Sequence, residues 1–320
     1  MHSLIAPLAL IVERRFGYPQ KLTETIGHPV MWFGALIAFC ETRLNTGERT
    51  GPQRQLAGIV ALGLLLLSVL IVTVGIRTIF SWLPFGWLVE MLLATVFLAQ
   101  KELARAVAAV SEALRQSLAA GREAVSHVVG RDPQALDEAG IARAAIETLA
   151  ESTSDGVVAP WFFLVLFGLP GIAVYKAVNT ADSMIGHLNE RYRDYGWAAA
   201  RLDDVLNWIP ARLTAVLVTA ACFLTPGASP SKAWQAARRD ARKHDSPNAG
   251  WPEAAFAGAL GFQLGGPRTY EGQVLDLPAF GTGKANLGAS DILLALLLYR
   301  RTLDVLLGMS TLLALMLLFS

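Results

Sequence analysis

Hydrophobic and polar positions fall in long blocks along this chain. Residues 4–12 are a short apolar run closed by Glu13-Arg14-Arg15. No basic residue precedes it and no small-residue cleavage site follows, so it predicts a short membrane-embedded helix and not a signal peptide. Gly27-His28-Pro29-Val30 predicts a turn, because proline excludes the helical conformation from the residue before it. Residues 30–40 predict a helix that leads to Glu41 and Asn45, four apart on one face. Residues 46–55 read as a basic, breaker-rich loop. Residues 56–76 carry no charge over about 20 positions, the length of a bilayer crossing. Arg77 and the corner Trp82-Leu83-Pro84 predict an interface at headgroup depth. Residues 85–99 return with Glu90 inside, where a paired or interface-facing carboxylate is favoured over a functional one.

The second half is less regular. Residues 101–126 place Leu103, Val107, Val110 and Leu114 at helical spacing, which predicts a water-exposed amphipathic helix. Residues 157–178 are apolar but contain Pro160, Gly168, Pro170 and Gly171. Such a segment is expected to be broken or re-entrant, with its freed backbone groups satisfied by protein or water. Residues 213–224 are too short for a comfortable crossing. A polar region follows over 229–290, with Arg238, Arg239, Arg242 and Lys243 on one side and a glycine-rich stretch on the other. Residues 292–319 are apolar again apart from Arg300, Arg301 and Asp304.

Composition agrees with that pattern. The 320 residues are 53% hydrophobic and 17% charged, where a soluble domain is nearer a quarter charged. The expected fold class is therefore all-α: a polytopic integral membrane protein with amphipathic and re-entrant helices. One domain over 1–320 is expected, with N-terminal membrane helices at 1–99, a central polar region at 100–212 and a C-terminal polar loop and membrane helix at 213–320. A formal net charge of +1 excludes a basic nucleic-acid surface. Cys40 and Cys222 sit in apolar contexts and predict small buried side chains, not a disulfide or zinc site. Loops 41–55, 100–156 and 229–290 hold most of the Lys and Arg, so the positive-inside rule assigns them to the cytoplasm, with the polar motifs on that same face.

The chemistry concentrates between Gly130 and Arg212. Arg143, Glu147, Glu151 and Asp155 recur every four residues, one polar stripe on a helix that Gly156 is expected to end. This is either a surface i,i+4 ion pair or a set of hard oxygen ligands for magnesium, which takes one or two carboxylates and completes its shell with water and phosphate. Asn179, Asp182, Ser183 and His187 follow, then Arg201, Asp203, Asp204, Asn207 and Arg212. Acids flanked by arginines suit a metal–phosphate and an anionic substrate. The plainer alternative has Asp203-Asp204 capping a helix and Arg212 at the lipid headgroups. Gly281-Thr282-Gly283-Lys284-Ala285 lacks the first glycine and the terminal hydroxyl residue of a phosphate-binding P-loop.

In these motifs the chain resembles the CobD/CbiB family of cobalamin biosynthesis, the adenosylcobinamide-phosphate synthases. The resemblance runs through Gly27-His28-Pro29-Val30, Val129-Gly130-Arg131-Asp132, the segment Arg143 to Pro160, Tyr175 to His187, Ala200 to Asp204 and Pro210-Ala211-Arg212. It continues through Ser246-Pro247-Asn248-Ala249-Gly250-Trp251-Pro252-Glu253 and Leu264 to Gly272. The chain departs from the family at Ser152, where an asparagine is usual, and at Ala181, where a leucine is usual. Glu13 and Gly17-Tyr18-Pro19 stand where many members have Asp and Gly-Asp-Pro.

The resemblance implies an ATP-dependent carbon–nitrogen ligase that joins adenosylcobyric acid to aminopropanol phosphate through an amide bond. It implies magnesium and ATP as co-reactants, a corrinoid substrate, and the bilayer and other cobalamin-pathway enzymes as partners, with a homo-oligomer allowed. It places the protein in the bacterial inner membrane. Glu147, Glu151, Asp155, Asp182, Asp203 and Asp204 are the candidate catalytic carboxylates, with Glu147, Asp155 and Asp203 the candidate metal ligands. Arg131, Lys176, Arg201 and Arg212 are candidates for phosphate, and Asn179, Ser183, His187, Asn207 and Asn248 for substrate. The alternatives are a non-catalytic corrinoid-binding membrane subunit and a corrinoid transporter.

Overall fold

The computed structural model describes residues 2–129, 134–266, 268–270, 273–275 and 277–319. Its helices are α1 (Ile5–Phe16), α2 (Gln20–Ile26), α3 (Pro29–Leu44), α4 (Gly51–Ser81), α5 (Gly86–Thr95), α6 (Gln100–Gln116) and α7 (Leu118–Ser126). They continue with α8 (Glu138–Thr153), α9 (Ala159–Ile185), α10 (Trp197–Leu206), α11 (Trp208–Ala221), α12 (Pro230–Asp240), α13 (Gly250–Leu260) and α14 (Ala289–Phe319). The strands are very short: β1 (Leu264–Gly265) pairs with β4 (Ala279–Phe280), and β2 (Arg268–Tyr270) with β3 (Gln273–Leu275), both antiparallel. The all-α expectation holds.

Local chemistry sets the helix starts. His28 Nδ1 accepts the Val30 N–H at 3.2 Å while Pro29 opens α3. Asp137 caps α8 through the Gly140 N–H at 2.8 Å, and Ser229 caps α12. Such side chains satisfy donors that have no partner inside the helix.

Among the described residues, three helical segments are long and apolar enough to cross a membrane, namely Gly51–Ser81, Glu138–Ile185 and Ala289–Phe319. A fourth candidate, Trp197–Leu206 with Trp208–Leu224, is bent by 43°. Three of its four charges, Arg201, Asp203 and Asp204, lie in α10 and the fourth, Arg212, near the start of α11, so α10 stands outside the apolar part, which α11 supplies beyond Arg212. Leu64, Leu67 and Ile71 of α4 and Leu312, Met316 and Leu317 of α14 are exposed, as lipid-facing side chains must be. The chain is a polytopic integral membrane protein.

Several boundaries differ from expectation. α4 starts at Gly51 inside the expected loop, because Pro52 in the first turn needs no hydrogen-bonded N–H. The helix expected over 101–126 is two, since Ser117 leaves the helical conformation and caps α7 through the Ala120 N–H. Gly156 does not end its helix: a π-helical turn over Ser154–Val158 carries the chain on into α9. The expected break over 157–178 falls at Gly168 (φ 68°, ψ −153°), one residue before Leu169-Pro170.

The chain divides into two compact units. The first comprises residues 1–99, 159–207 and 310–320, with α4 against α3, α9 and α10 and α1 against α5. There Gly58 meets the backbone of Tyr195 so closely that a Cβ would lie 1.8 Å from the Tyr195 carbonyl oxygen. The second comprises 100–158 and 208–309, where α12 packs on α13, α6 on α7 and α8, and α11 on α12 and α13. Ile141, Ile146, Phe256 and Tyr299 form part of its core.

Candidate functional site

In the first unit, α9 and α10 build a directed hydrogen-bond network around Asp203. Asn207, one turn later on the same helix end, donates its amide to Asp203 Oδ2 at 2.8 Å. Asn179 of α9 donates to Oδ1 at 3.5 Å. Both amides are oriented from behind. The Tyr175 hydroxyl donates to Asn207 Oδ1 at 2.8 Å, and Lys176 Nζ to Asn179 Oδ1 at 2.9 Å. Tyr175 and Asn207 are each 1% exposed, so the network is inside the protein. Burial pushes the Asp203 carboxyl up to about 7, with the charges of Asp182 and Asp204 adding to the rise and the Asn207 and Asn179 donors opposing it.

Asp182 is half-buried on α9. Gly186 makes room for it, since a Cβ there would come within 2.0 Å of Asp182 Oδ1. Asp204 faces Arg201 at 3.7 Å. Ser183 donates back to the Asn179 carbonyl at 2.9 Å, and His187 is exposed beside the Tyr192 ring. The 186–196 loop is tied down by Arg191, which forms a two-pronged pair with Glu41 at 2.9 and 3.0 Å. Asn45 and Arg54 add contacts to the Arg191 carbonyl.

Two residues of this region escaped the sequence reading. Tyr175 has no charge to single it out in the sequence, yet it sets the Asn207 orientation. His28 was read as a turn residue. Its imidazole is held below its ordinary pKa by burial, opposed by a hydrogen bond with the Val96 backbone and assisted by the positive charge of Lys176. A histidine before a proline signals a helix cap first, which conceals any second use.

The second unit holds the remaining candidates. Glu147 is buried, and its Oε1 accepts the Gly265 N–H of β1 at 2.7 Å. Arg143 donates to the Ala285 carbonyl at 3.3 Å. Glu151 is exposed, and half-buried Asp155 lies in the π turn. Arg212 lies between two indoles, 4.2 Å from the Trp208 ring and 4.9 Å from that of Trp251. It donates to the Trp208 carbonyl at 2.6 Å and to Asn248 Oδ1 at 3.4 Å. Stacking fixes the guanidinium plane while leaving its edge for hydrogen bonds. Lys284 pairs with Asp291 at 2.7 Å, and the glycine loop is a structural turn. Arg131 lies outside the described residues.

The Glu147 latch makes a direct prediction. Glu147→Ala leaves a buried N–H without its acceptor and should cost about 1–3 kcal/mol. Glu147→Gln keeps an acceptor and should recover most of that in thermal melts. Equal melting temperatures for the two variants would show that the bond contributes nothing.

Among the described residues, no group of three or more His, Cys, Asp or Glu is placed to hold a metal ion.

The chain matches the family described as CobD/Cbib protein over residues 6–299. It is 46% identical over 310 residues to the cobalamin biosynthesis protein CobD of Brucella anthropi, covering 96% of this chain and 95% of that one. It is 45% identical to CobD of Rhizobium meliloti, covering 90% of each chain, and 44% identical to CobD of Rhodobacter capsulatus, covering 92% of each. No solved structure matches.

Proposed function

The chain belongs to the CobD/CbiB family, and from that premise we propose that it is the adenosylcobinamide-phosphate synthase of cobalamin biosynthesis. Its reaction joins a side-chain carboxylate of adenosylcobyric acid to the amine of aminopropanol phosphate. A carboxylate is a poor electrophile. Its oxygen attacks the terminal phosphorus of ATP, ADP leaves, and an acyl phosphate forms. The amine nitrogen then attacks the acyl carbon, phosphate leaves, and the nitrogen surrenders a proton.

Asp203 is the observation that carries this reading to a residue. It is a buried carboxylate titrating near neutrality, which is where a general base works best. Its two oxygens are aimed by amides that are themselves aimed. In the first unit Asp203 takes the amine's proton, Lys176 binds phosphate and Asn179 orients substrate; in the second, Arg212 and Asn248 are the candidates for phosphate and substrate.

Magnesium fits this reading only as the nucleotide's own ion. Asp203 accepts from two amides and Glu147 from the Gly265 N–H, so a magnesium ion on either would compete with those donors, whereas the remaining lone pairs of Asp203 still let it accept a proton. The half-buried carboxylates Asp182 and Asp204 of the first unit, or Asp155 of the second, would supply the one or two protein ligands that such an ion takes. Bound there, it neutralises phosphate charge. The site faces the cytoplasm of a bacterial inner membrane, where ATP is present.

The test is an assay of purified protein with adenosylcobyric acid, aminopropanol phosphate and magnesium ATP, following amide product and phosphate release. Product formed in step with phosphate supports the proposal. Corrinoid binding with ATP untouched would instead identify a non-catalytic subunit. A reporter fused near residue 190 that proved periplasmic would overturn the cytoplasmic placement.

A further inference from the structure

The corner between α4 and α5, distant along α4 from the Asp203 network, has the features of a second binding site. Arg77 and Glu90 both line two cavities of about 250 and 400 Å³ within the first unit. Glu90 is buried and already used: its Oε1 accepts the Leu169 N–H at 3.2 Å and so holds the α9 break at Gly168. Arg77 is different. Its nearest approach to Glu90 is 3.7 Å, too long for a good hydrogen bond, and its side chain is 46% exposed. The larger cavity is also lined by Trp87, whose indole N–H is buried without an acceptor among the described residues. A buried unmatched donor costs free energy unless something absent from the protein alone accepts from it.

The backbone is specialised here as well. Phe85 has φ 63°, the one non-glycine residue with positive φ among those described, and it points 68% of its surface outward. Gly86 is required next to it, because a Cβ would lie 1.7 Å from the Phe80 carbonyl oxygen. Strain of this kind persists where the surroundings enforce it and often marks a binding site. Trp82 is 83% exposed beside it.

Depth selects the ligand. At about 1.5 Å per residue, Arg77 lies roughly 35 Å along α4 from Arg54. The hydrocarbon core of a bilayer is about 30 Å thick, so residues that far apart reach opposite headgroup layers. Exposed Trp82 and Phe85 suit that layer.

We propose that the α4–α5 corner binds the phosphate group of a membrane glycerophospholipid, with the Arg77 guanidinium and the Trp87 indole N–H as donors and Trp82 and Phe85 packed against its glycerol and upper acyl chains. The shared chemistry is a phosphate ester, which a free phosphate ion also offers. The arms of the test separate the two.

Native protein and the variants Arg77→Gln and Trp87→Phe would be purified in detergent, stripped of loosely held lipid, and examined by native mass spectrometry and phosphorus quantification. Native protein should retain about one phospholipid per chain, and each variant should retain severalfold less at unchanged monodispersity. Retention equal to native in both variants would overturn the site. Loss of the lipid on adding millimolar inorganic phosphate would overturn the lipid assignment, and survival of the lipid through that addition supports it. Trp87→Phe removes the donor while keeping an aromatic side chain, and an unchanged melting temperature beside the lipid loss would separate the lost donor from misfolding.

Discussion

Replacing Asp203 by asparagine is expected to lower amide synthesis by about 10²–10⁴-fold, the usual contribution of a positioned general base. The substitution preserves shape and removes both the charge and one acceptor. Asn207 and Asn179 cannot turn to accommodate it, because Tyr175 and Lys176 donate to their carbonyl oxygens and fix their amides toward position 203. The new amide therefore faces two donors with one acceptor. That mismatch should cost about 1–3 kcal/mol. The measurement is product formation in detergent beside a thermal melt of the same sample. An Asp203→Asn enzyme within threefold of native would remove Asp203 from the chemistry.

The same carboxyl predicts two pH profiles of opposite slope. As a base, Asp203 must be ionised, so kcat/KM should rise with pH and inflect near 7. Its folded-state pKa lies above the ordinary 3.8, which means that the folded protein holds its proton more tightly than the unfolded chain. The associated stability is present below about 4 and is lost as pH rises through about 7. Asp203→Asn should flatten both profiles over that interval.

Much of this site could be read from residue order because its spacing is local. Asn179 and Asp182, or Asp203 and Asn207, fall on one helix face by periodicity alone. The α4 span and the broken segment at Gly168 were legible for a similar reason, since uninterrupted apolar length and breaker residues are local properties. The contacts that give the side chains their roles are not local. Glu147 meets Gly265 across 118 positions, and Glu90 meets Leu169 across 79. In both, one partner is a backbone N–H, which has no side-chain signature. The stripe from Arg143 to Asp155 runs into the π turn at Ser154–Val158, whose wider turn departs from the four-residue spacing that the sequence pattern assumes. Trp208 and Trp251 carry no local signal of their contact with Arg212, since tryptophan beside an apolar segment suggests an interfacial belt first.

Replacing Asp240 by alanine is expected to give the largest loss of stability in the second unit. This carboxylate is fully buried and accepts from Arg239 at 2.8 and 2.6 Å, from Lys243 at 2.7 Å and from the Gly281 N–H at 2.9 Å. Burial pushes its pKa upward, but Arg239, Lys243 and Gly281 outweigh that effect and hold it at about 2. The sign is opposite to that of Asp203. Stability from Asp240 is present above about 3.8 and is lost as pH falls toward about 2. Breaking a buried pair from one side costs up to about 5 kcal/mol, and since Arg239 and Lys243 are half-exposed and can rehydrate, about 3 kcal/mol is expected here. Asp240→Asn retains an acceptor for Gly281 and should lose less.

The damage should also travel. Gly281 directly follows β4, β4 pairs with β1 through Leu264–Phe280 and Gly265–Ala279, and Gly265 is the residue that Glu147 holds. Releasing Gly281 therefore frees one end of a two-residue ladder whose other end is latched by a candidate site carboxylate. Asp240→Ala and Glu147→Ala should accordingly lower amide synthesis together, and the double variant should lose less stability than the sum of the two. Strict additivity in a double-mutant cycle would show that the ladder does not connect them.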